Sequence, residues 1–280
     1  MRKVNFAFVG CTALLLLAVG PGTTAAQNAP APSAPNAPTP SAPNPPAPAA
    51  SSRVDPAALA ALERMGAALR SKNLFTMKAD VTKEEVLGSG EKLQFGGTLE
   101  ISARRPDRFR ISAVSDTRDR QIYYDGKSVT VYSPKLGVYG SFAAPSTIAQ
   151  TLRTARDRYD IEMPLADLFT WGTDNSAAAQ LTSGFLVSPE HIGGRACNHY
   201  AFRQPDVDWQ IWIADDASAL PCKLVITNTD DDSRPQYTAV MNWNFPPAIA
   251  DNVFTFAPPP SANKIVVLDR AATTASGAPK

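Results

Sequence analysis

The amino-acid sequence predicts a mainly β protein of the α+β type. We expect a curled antiparallel half-barrel of about eleven strands, with helices covering its concave face. Apolar and polar side chains alternate with a period of two along most of the chain after residue 92, which is typical of antiparallel strands with one face in water. Two stretches with helical spacing stand outside this alternation. A sheet of so many strands accumulates twist, so it should curl around the helices.

The first predicted element is a helix that begins at Pro56 and ends near Asn73. Asp55 is a good N-cap, and proline suits the first helical position. The apolar face of this helix consists of Leu59, Leu62, Gly66 and Leu69. A second helical region is expected at residues 146–169, where Ser146 can cap the first of two short helices. The apolar stripe of that first helix consists of Ile148, Leu152, Ala155 and Tyr159.

The predicted strands fall into two groups, one before and one after this helical insertion. The first group comprises residues 93–102, 109–112, 118–124, 127–132 and 138–142. Its clearest hairpin turns at Asp125-Gly126, a strong two-residue turn signal. The second group comprises residues 185–192, 196–204, 208–214, 221–229 and 236–245, followed by a short strand near residues 253–256.

The first fifty residues predict export and a tether. Residues 1–26 have a positive start, an apolar run and small residues before a cleavage site after Ala26, the three parts of a signal peptide. The alternatives are an uncleaved anchor, although the apolar run is shorter than the roughly 20 residues that span a bilayer, and lipidation at Cys11. Residues 27–52 are rich in proline and alanine and predict an extended disordered linker, with a site for a proline-binding partner as the alternative.

These assignments leave a folded periplasmic domain at residues 53–268 and a disordered tail at residues 269–280. The chain contains 27 lysines and arginines against 26 aspartates and glutamates. Because this balance provides no excess of basic residues for a basic patch, we expect no nucleic-acid partner.

Cys197 and Cys222 are the two cysteines that remain after signal removal. An even number in an oxidising compartment favours one disulfide. The predicted strands, however, place a third strand between the two cysteines. Strands two steps apart lie about 10 Å from one another, and a disulfide needs Cα atoms within about 7 Å. A bulge would close the gap, and two buried thiols are the alternative.

The sequence contains no recognisable catalytic or metal-binding motif. Cys197, His199 and Cys222 could hold a soft metal, but zinc sites use four ligands, or three and water. We therefore predict no metal and no cofactor, and we interpret His199 as a half-buried strand residue. The acidic pairs and triplets at residues 215–216 and 230–232 are interpreted as solvated turns, because calcium needs a fuller set of oxygen ligands. Without a nucleophile elbow, P-loop or zinc-protease helix, we predict that the protein is not an enzyme.

One face of the predicted sheet carries many apolar side chains, and the helical insertion adds two more. They form either an ordinary packed core or the lining of a pocket for an apolar ligand. The predicted ligand-binding set, inferred from the sheet face alone, is Phe95, Leu99, Ile101, Phe109, Ile111, Val129, Val131, Trp209, Ile211, Ile213, Ile148 and Leu152.

Two sets of motifs carry a family resemblance. Residues 105–110 (RPDRFR), 123–127 (YYDGK) and 131–134 (VYSP) are similar to the arginine-proline turn, the aspartate-glycine-lysine hairpin and the tyrosine-x-proline strand end of the LolA/LolB-like periplasmic lipoprotein-carrier superfamily. A more specific resemblance, over about residues 54–266, is to domain-of-unknown-function family 2092, a family of predicted periplasmic proteins. It rests on residues 93–97 (LQFGG), 201–205 (AFRQP), 207–213 (VDWQIWI), 224–227 (LVIT) and 235–238 (PQYT).

The resemblance implies a half-barrel in which helices form a lid over an apolar cavity. In the carriers that cavity takes acyl chains, whereas relatives of the same fold sense envelope stress. We therefore predict a non-enzymatic periplasmic binding protein that holds a lipid, an acyl chain or another amphiphile, with an envelope protein or a membrane surface as a further partner. The alternative is an envelope protein-interaction or stress-sensor module with a filled core.

Overall fold

The computed structural model describes residues 54–171 and 180–270. The predicted signal peptide and linker lie outside these residues, as does the predicted tail beyond residue 270. The first two residues of the predicted tail, 269 and 270, lie within the described part. Asp269 forms an ion pair with Arg158, and Arg270 forms one with Asp160, 2.8 Å long, so both residues belong to the folded part.

The described residues form three α-helices, one 3₁₀ helix and twelve strands. The helices are α1 (Pro56–Arg70), α2 (Ile148–Tyr159), α3 (Asp167–Thr170) and the 3₁₀ helix Asp251–Phe254. The strands before α2 are β1 (Leu74–Val86), β2 (Lys92–Arg104), β3 (Arg108–Ser115), β4 (Asp119–Tyr124), β5 (Ser128–Ser133) and β6 (Val138–Ala143). Those after α3 are β7 (Ser183–Ile192), β8 (Arg195–Gln204), β9 (Val207–Ala214), β10 (Pro221–Asn228), β11 (Gln236–Asn244) and β12 (Asn263–Lys264).

All twelve strands belong to one open sheet, which confirms the predicted fold class. Their order is β12-β6-β5-β4-β3-β2-β1-β11-β10-β9-β8-β7. Every pair is antiparallel except β12 with β6, which is parallel. The pairing of β1 with β11 joins the two sequence groups of strands at the middle of the sheet.

Four local predictions are corrected by the structure. The sequence assigned no strand to β1, whose second half is a polar run without clear alternation and is half-buried throughout. The short strand predicted near residues 253–256 is wrong, because this segment forms a 3₁₀ helix in which only Phe254 is buried. The helix α1 ends three residues earlier than predicted, and the N-cap of α2 is Thr147, whose side chain accepts a hydrogen bond from the backbone N–H of Gln150.

One face of the sheet, called the inner face below, packs against the three helices. The aromatic ring of Phe169 in α3 lies 5.9 Å from Phe75 and 6.0 Å from Phe109, centroid to centroid. Tyr159, at the end of α2, stacks on Phe142 at 4.0 Å. These contacts belong to one large apolar cluster that includes side chains from both halves of the sheet and from all three helices.

The C-terminal segment wraps around the β6 edge of the sheet. On the outer face, Phe256 contacts Tyr123, Tyr132 and Tyr139 with ring centroids 5.0–5.4 Å apart. The chain then pairs with β6 through β12, and Val267 packs against the inner cluster beside Gly140, where a Cβ atom would lie only 2.6 Å from the Val267 side chain. The segment therefore shields a sheet edge that would otherwise expose unpaired backbone groups.

Cys197 and Cys222 form a disulfide although they lie on β8 and β10, with β9 between them. Two features bring their Cα atoms to 6.8 Å. Cys197 pairs with Ala214, the last residue of β9, and the register of β10 shifts between Pro221 and Lys223. From the sequence, the disulfide was one of two alternatives, because only a bulge could reconcile it with the strand order. The structure contains that bulge.

We predict that the double substitution Cys197→Ala, Cys222→Ala lowers the free energy of unfolding by about 3 kcal/mol, because the bond closes a loop whose ends are 25 residues apart in sequence. Urea denaturation followed by tryptophan fluorescence measures the change. The reduced wild-type protein should match the double variant. An unchanged urea midpoint in both would contradict the prediction.

Candidate ligand-binding site

The structure collects almost all of the predicted ligand-binding set on the inner face, but most of it is inaccessible. Ten of the twelve side chains are at most 8% exposed and belong to the large apolar cluster: Leu99, Ile101, Phe109, Ile111, Val129, Ile148, Leu152, Trp209, Ile211 and Ile213. Val131 is partly buried against the same cluster, and Phe95 lies near the free end of β2 and is also partly exposed. As ligand contacts these residues stay predictions, and the buried ones could meet a ligand only after the helices move.

A second set of inner-face apolar side chains remains partly exposed. We call it the central floor, and it consists of Phe95, Val81, Leu224, Ile226 and Tyr237. All but Phe95 pack on their lower side against the large cluster. The central floor is therefore an apolar surface that packs against the large cluster and is partly exposed to solvent.

The strand register places the central floor on four adjacent strands, with Lys83 of β1 between Tyr237 and Phe95. Tyr237 pairs directly with Ile226 on one side and with Lys83 on the other, and Lys83 pairs with Phe95. One row further along, Val81 and Leu224 both pair with Ala239. Neighbouring strands lie about 4.8 Å apart, so the floor crosses the middle of the sheet from β2 to β10 over three spacings, or roughly 14 Å.

Gly97 of β2 widens this surface. Gly97 pairs with Val81, and an added Cβ atom would lie 2.7 Å from the backbone oxygen of Val114 and 3.5 Å from Val81. A residue with a side chain at this position would therefore clash with β3. Its absence leaves a shallow dip between the floor and the strands β3 and β4.

Three polar groups, one on the central floor and two in the helical region, have raised pKa values. Burial raises the pKa of the Tyr237 hydroxyl, which makes no hydrogen bond to another described residue. Asp167, at the start of α3, retains contact with solvent, yet the surrounding protein raises the pKa of its carboxyl group. Burial, together with the charges of Asp160 and Asp167, also raises the pKa of Glu162.

Two arginines hold the short helix α3 in place over the inner face. Arg70 of α1 donates a hydrogen bond of 2.6 Å from Nη1 to the backbone oxygen of Trp171. Arg105, in the turn between β2 and β3, donates one of 3.3 Å to the backbone oxygen of Phe169 and lies over the Phe169 ring. Within the described part of the chain, Arg105 Nε and Nη2 are buried without a hydrogen-bond partner. Burial, and to a lesser extent Arg70, lowers the pKa of Arg105.

Two surface depressions lie away from the central floor. One, of about 470 Å³, runs along the solvated side of α2 and is lined by Pro145, Gln150, Arg153, Thr154, Asp157 and Arg158. The other, of about 230 Å³, lies by the turn between β9 and β10, where Arg64 and Tyr200 meet Asp215 and Asp216. Both have several charged side chains in their walls, so neither suits an acyl chain.

The residues considered for a metal are engaged in other contacts. The disulfide removes both cysteines as ligands. His199 on the outer face lies between Glu190 and Gln210, 2.9 Å from the Glu190 carboxylate through Nδ1 and 3.0 Å from Gln210 through Nε2, and stacks on Trp212. Among the described residues there is no group of three or more histidine, cysteine or acidic side chains that could hold a metal ion.

Sequence reasoning missed most of the central floor. Val81 and Lys83 were missed with the whole of β1, while Leu224, Ile226 and Tyr237 lie on predicted strands but were not placed on the inner face. The alternation of Leu224 and Ile226 within β10 is visible in the sequence. The bulge near Cys222, however, changes the face of the sheet to which these two residues are assigned. Their pairing with β11 would have shown that these residues are neighbours. This pairing depends on the strand register, which the sequence alone does not reveal.

The chain was compared with known families and structures. The model of a family described as "Predicted periplasmic protein (DUF2092)" matches residues 58–268. No curated protein matches the chain. In the described part of the chain, no helix is both long enough and apolar enough to cross a bilayer.

Three similar solved structures share 15% or less of their sequence with this chain. The lipoprotein LppX of Mycobacterium tuberculosis is 15% identical with a TM-score of 0.45, over 70% of this chain and 100% of LppX. LprF of Mycobacterium bovis is 15% identical with a TM-score of 0.36, over 75% of this chain and 99% of LprF. A LolA superfamily protein of Nitrosomonas europaea is 9% identical with a TM-score of 0.34, over 71% of this chain and 97% of that protein. The ligands of these proteins do not transfer to this chain at such scores.

We predict that Asp167→Asn stabilises the protein at neutral pH. Because the folded-state pKa of Asp167 is raised above its usual 3.8, its charged form costs stability above the folded-state pKa. That cost disappears below about 3.8, where the carboxyl group is protonated in both states. The gain in melting temperature should therefore be present at pH 7 and vanish near pH 3.5.

Thermal melts of wild-type and variant protein at a series of pH values measure this difference. Glu63→Gln, an exposed acidic residue on α1, is the matched control and should leave the pH dependence unchanged. An Asp167→Asn variant that melts lower than the wild type at pH 7 would contradict the prediction.

Proposed function

The chain belongs to the DUF2092 family of predicted periplasmic proteins, and from this premise we propose that it is a non-enzymatic binding protein of the periplasm that holds an amphiphile on the inner face of its sheet. The observation that carries the proposal is the central floor. It presents apolar side chains of four adjacent strands that are partly open to solvent, most of them packed against the large cluster, together with the Tyr237 hydroxyl. A lipid or another molecule with an acyl chain matches this combination of apolar length and polar end.

The energetics of such binding need no covalent chemistry. Moving one methylene group from water onto an apolar surface gains about 0.8 kcal/mol when it is fully buried. A long acyl chain laid along the floor would be buried on one side only, so its gain is smaller per methylene group but extends over many of them. The cost of restricting the ligand has to be subtracted from this gain.

Movement of the helices α2 and α3 would deepen the site. Arg70 and Arg105 bind the last backbone oxygens of α3 and Trp171, and the C-terminal segment binds the end of α2 through Asp269 and Arg270. These are few, localised contacts at the ends of the helices. A ligand would reach Leu152, Ile148 and the buried side chains beneath them only if these contacts and the apolar packing of the helices were both released.

A second candidate function is an envelope protein-interaction or stress-sensor module with a filled core. The observation that favours it is the packing beneath α2, where Ile148 and Ala155 are 2% and 0% exposed. In this case the inner face is structural, and a partner protein recognises another surface. Crosslinking in the periplasm would then recover a protein partner, while organic extracts of the native protein would contain no stoichiometric lipid.

We predict that Ile226→Lys weakens amphiphile binding by about tenfold or more, because it places a charge in the middle of the apolar floor. Ile226 is partly exposed, so the substituted side chain can reach solvent and the fold is retained. Titration of lipid-free protein with the neutral fluorescent probe N-phenyl-1-naphthylamine measures the affinity. Mass spectrometry of organic extracts from protein purified from the periplasm identifies the natural ligand.

The matched control is Val114→Lys, which introduces the same charge at a 47% exposed valine on the outer face of β3. It should bind the probe as the wild type does. Circular dichroism and melting temperature establish that both variants are folded. Equal probe affinity in the two variants would place binding away from the central floor, and a wild-type protein that binds no probe and carries no lipid would refute the proposed function.

A further inference from the structure

Arg120 is a charged side chain on the inner face without an internal partner. It lies two residues before Ile122 and four before Tyr124, which are 1% and 0% exposed within the apolar cluster, so the alternation of β4 turns Arg120 toward the same face. Its strand partner is Ala113, which packs against that cluster as well. Arg120 makes no ion pair and no hydrogen bond through its side chain with any other described residue.

The environment of this guanidinium is that of an enclosed but open site. The residue is exposed to solvent, yet burial, and after it the charge of Arg118, lowers the pKa of Arg120. The other two cations nearby share one carboxylate: Arg118 lies 3.7 Å from Glu85, and Lys83 lies 2.8 Å from the same group. The carboxylates of Glu162 and Asp167 on the helical side form no ion pair with Arg120.

Arg120 keeps its contact with solvent beside the apolar surface, where its attraction for an anion is screened less than in bulk water. A guanidinium presents its donors as a planar fork that fits the two oxygens of a carboxylate or phosphate. An anion bound to Arg120 would supply the opposite charge that no described side chain provides.

The strand register connects Arg120 to the central floor. Arg120 is paired with Ala113 on β3, Ala113 with Leu99 on β2, and the next inner-face residue of β2 is Gly97, which pairs with Val81 of the floor. Three strand spacings separate β4 from β1, or roughly 14 Å. The small residues Ala113 and Gly97 line the surface between the guanidinium and the floor, and the contact of Arg118 with Glu85 borders it by reaching from the turn before β4 to β1.

We propose that Arg120 binds the anionic headgroup of the amphiphile while its acyl chain lies across Ala113 and Gly97 onto the central floor. The ligand class is therefore a single-chain or multi-chain lipid with a carboxylate or a phosphate at its polar end. This inference rests on the proposed function and adds to it the charge and the orientation of the ligand.

The test uses three competitors with the same sixteen-carbon chain, compared at pH 8 in displacement of N-phenyl-1-naphthylamine from lipid-free protein. These are palmitate, hexadecyl phosphate and hexadecanol, each below its micelle concentration. In the wild type, at least one of the two anions should displace the probe at about a tenfold lower concentration than hexadecanol, as expected for one charge-assisted contact. The anion with the larger advantage identifies the headgroup as carboxylate or phosphate.

The variants assign this preference to one side chain. Arg120→Gln should abolish the preference and leave the affinity for hexadecanol unchanged, and Arg120→Lys should retain part of it. Arg153→Gln, an exposed arginine on the solvated side of α2, removes the same charge and should behave as the wild type does.

Two results would overturn the inference: equal displacement by all three compounds in the wild type, or an undiminished preference for anions in Arg120→Gln. In both cases hexadecanol would still bind, so the proposed function would stand without this headgroup site. A wild-type protein that binds neither the probe nor hexadecanol would instead refute the proposed function, and the inference with it.

Discussion

The structure depends on one constraint: the period of two along most of the strands places apolar side chains on a single inner face that must be kept from water. The helices available for this purpose are short, with 15 residues in α1, 12 in α2 and four in α3. The helix α1 lies against β7, and α2 lies over the β5–β6 side, where Tyr159 stacks on Phe142. The inner face is buried below the helices and only partly covered where the chain halves meet, at β1, β11 and β10.

The same constraint explains the features at the rim of the sheet. An open sheet has two edges, and the β6 edge is covered by the C-terminal segment, which pairs through β12 and packs Val267 on the inner side. Near the opposite edge, the disulfide ties β8 to β10 across the end of β9. Both devices fasten outer strands that are distant in the sheet from the central pair of β1 with β2. With both edges fastened, the outer strands stay paired while the middle of the inner face stays open.

The sequence allowed prediction of the features that depend on local periodicity and not of those that depend on register. The hairpin at Asp125-Gly126, the start of α1 at Pro56 and the alternation around Phe109 and Ile111 follow from neighbouring residues, and the structure contains them. The strand β1 was missed because its second half is polar, yet its pairing with β11 is what joins the two halves of the sheet. The central floor could not be predicted for the same reason, since its members are adjacent only through pairing between distant strands. Arg120 was passed over because a lone arginine in an alternating strand does not reveal which face is enclosed.

The position of the open surface also decides where a ligand would bind first. Access to the predicted set beneath α2 requires Ile148, Leu152 and Phe169 to leave the core, and exposure of three such side chains costs roughly 5 kcal/mol or more. A ligand would need to bury about six methylene groups merely to offset that cost. The central floor carries no such cost, because Leu224, Ile226 and Tyr237 are already in contact with solvent. Binding on the floor can therefore precede any movement of the helices.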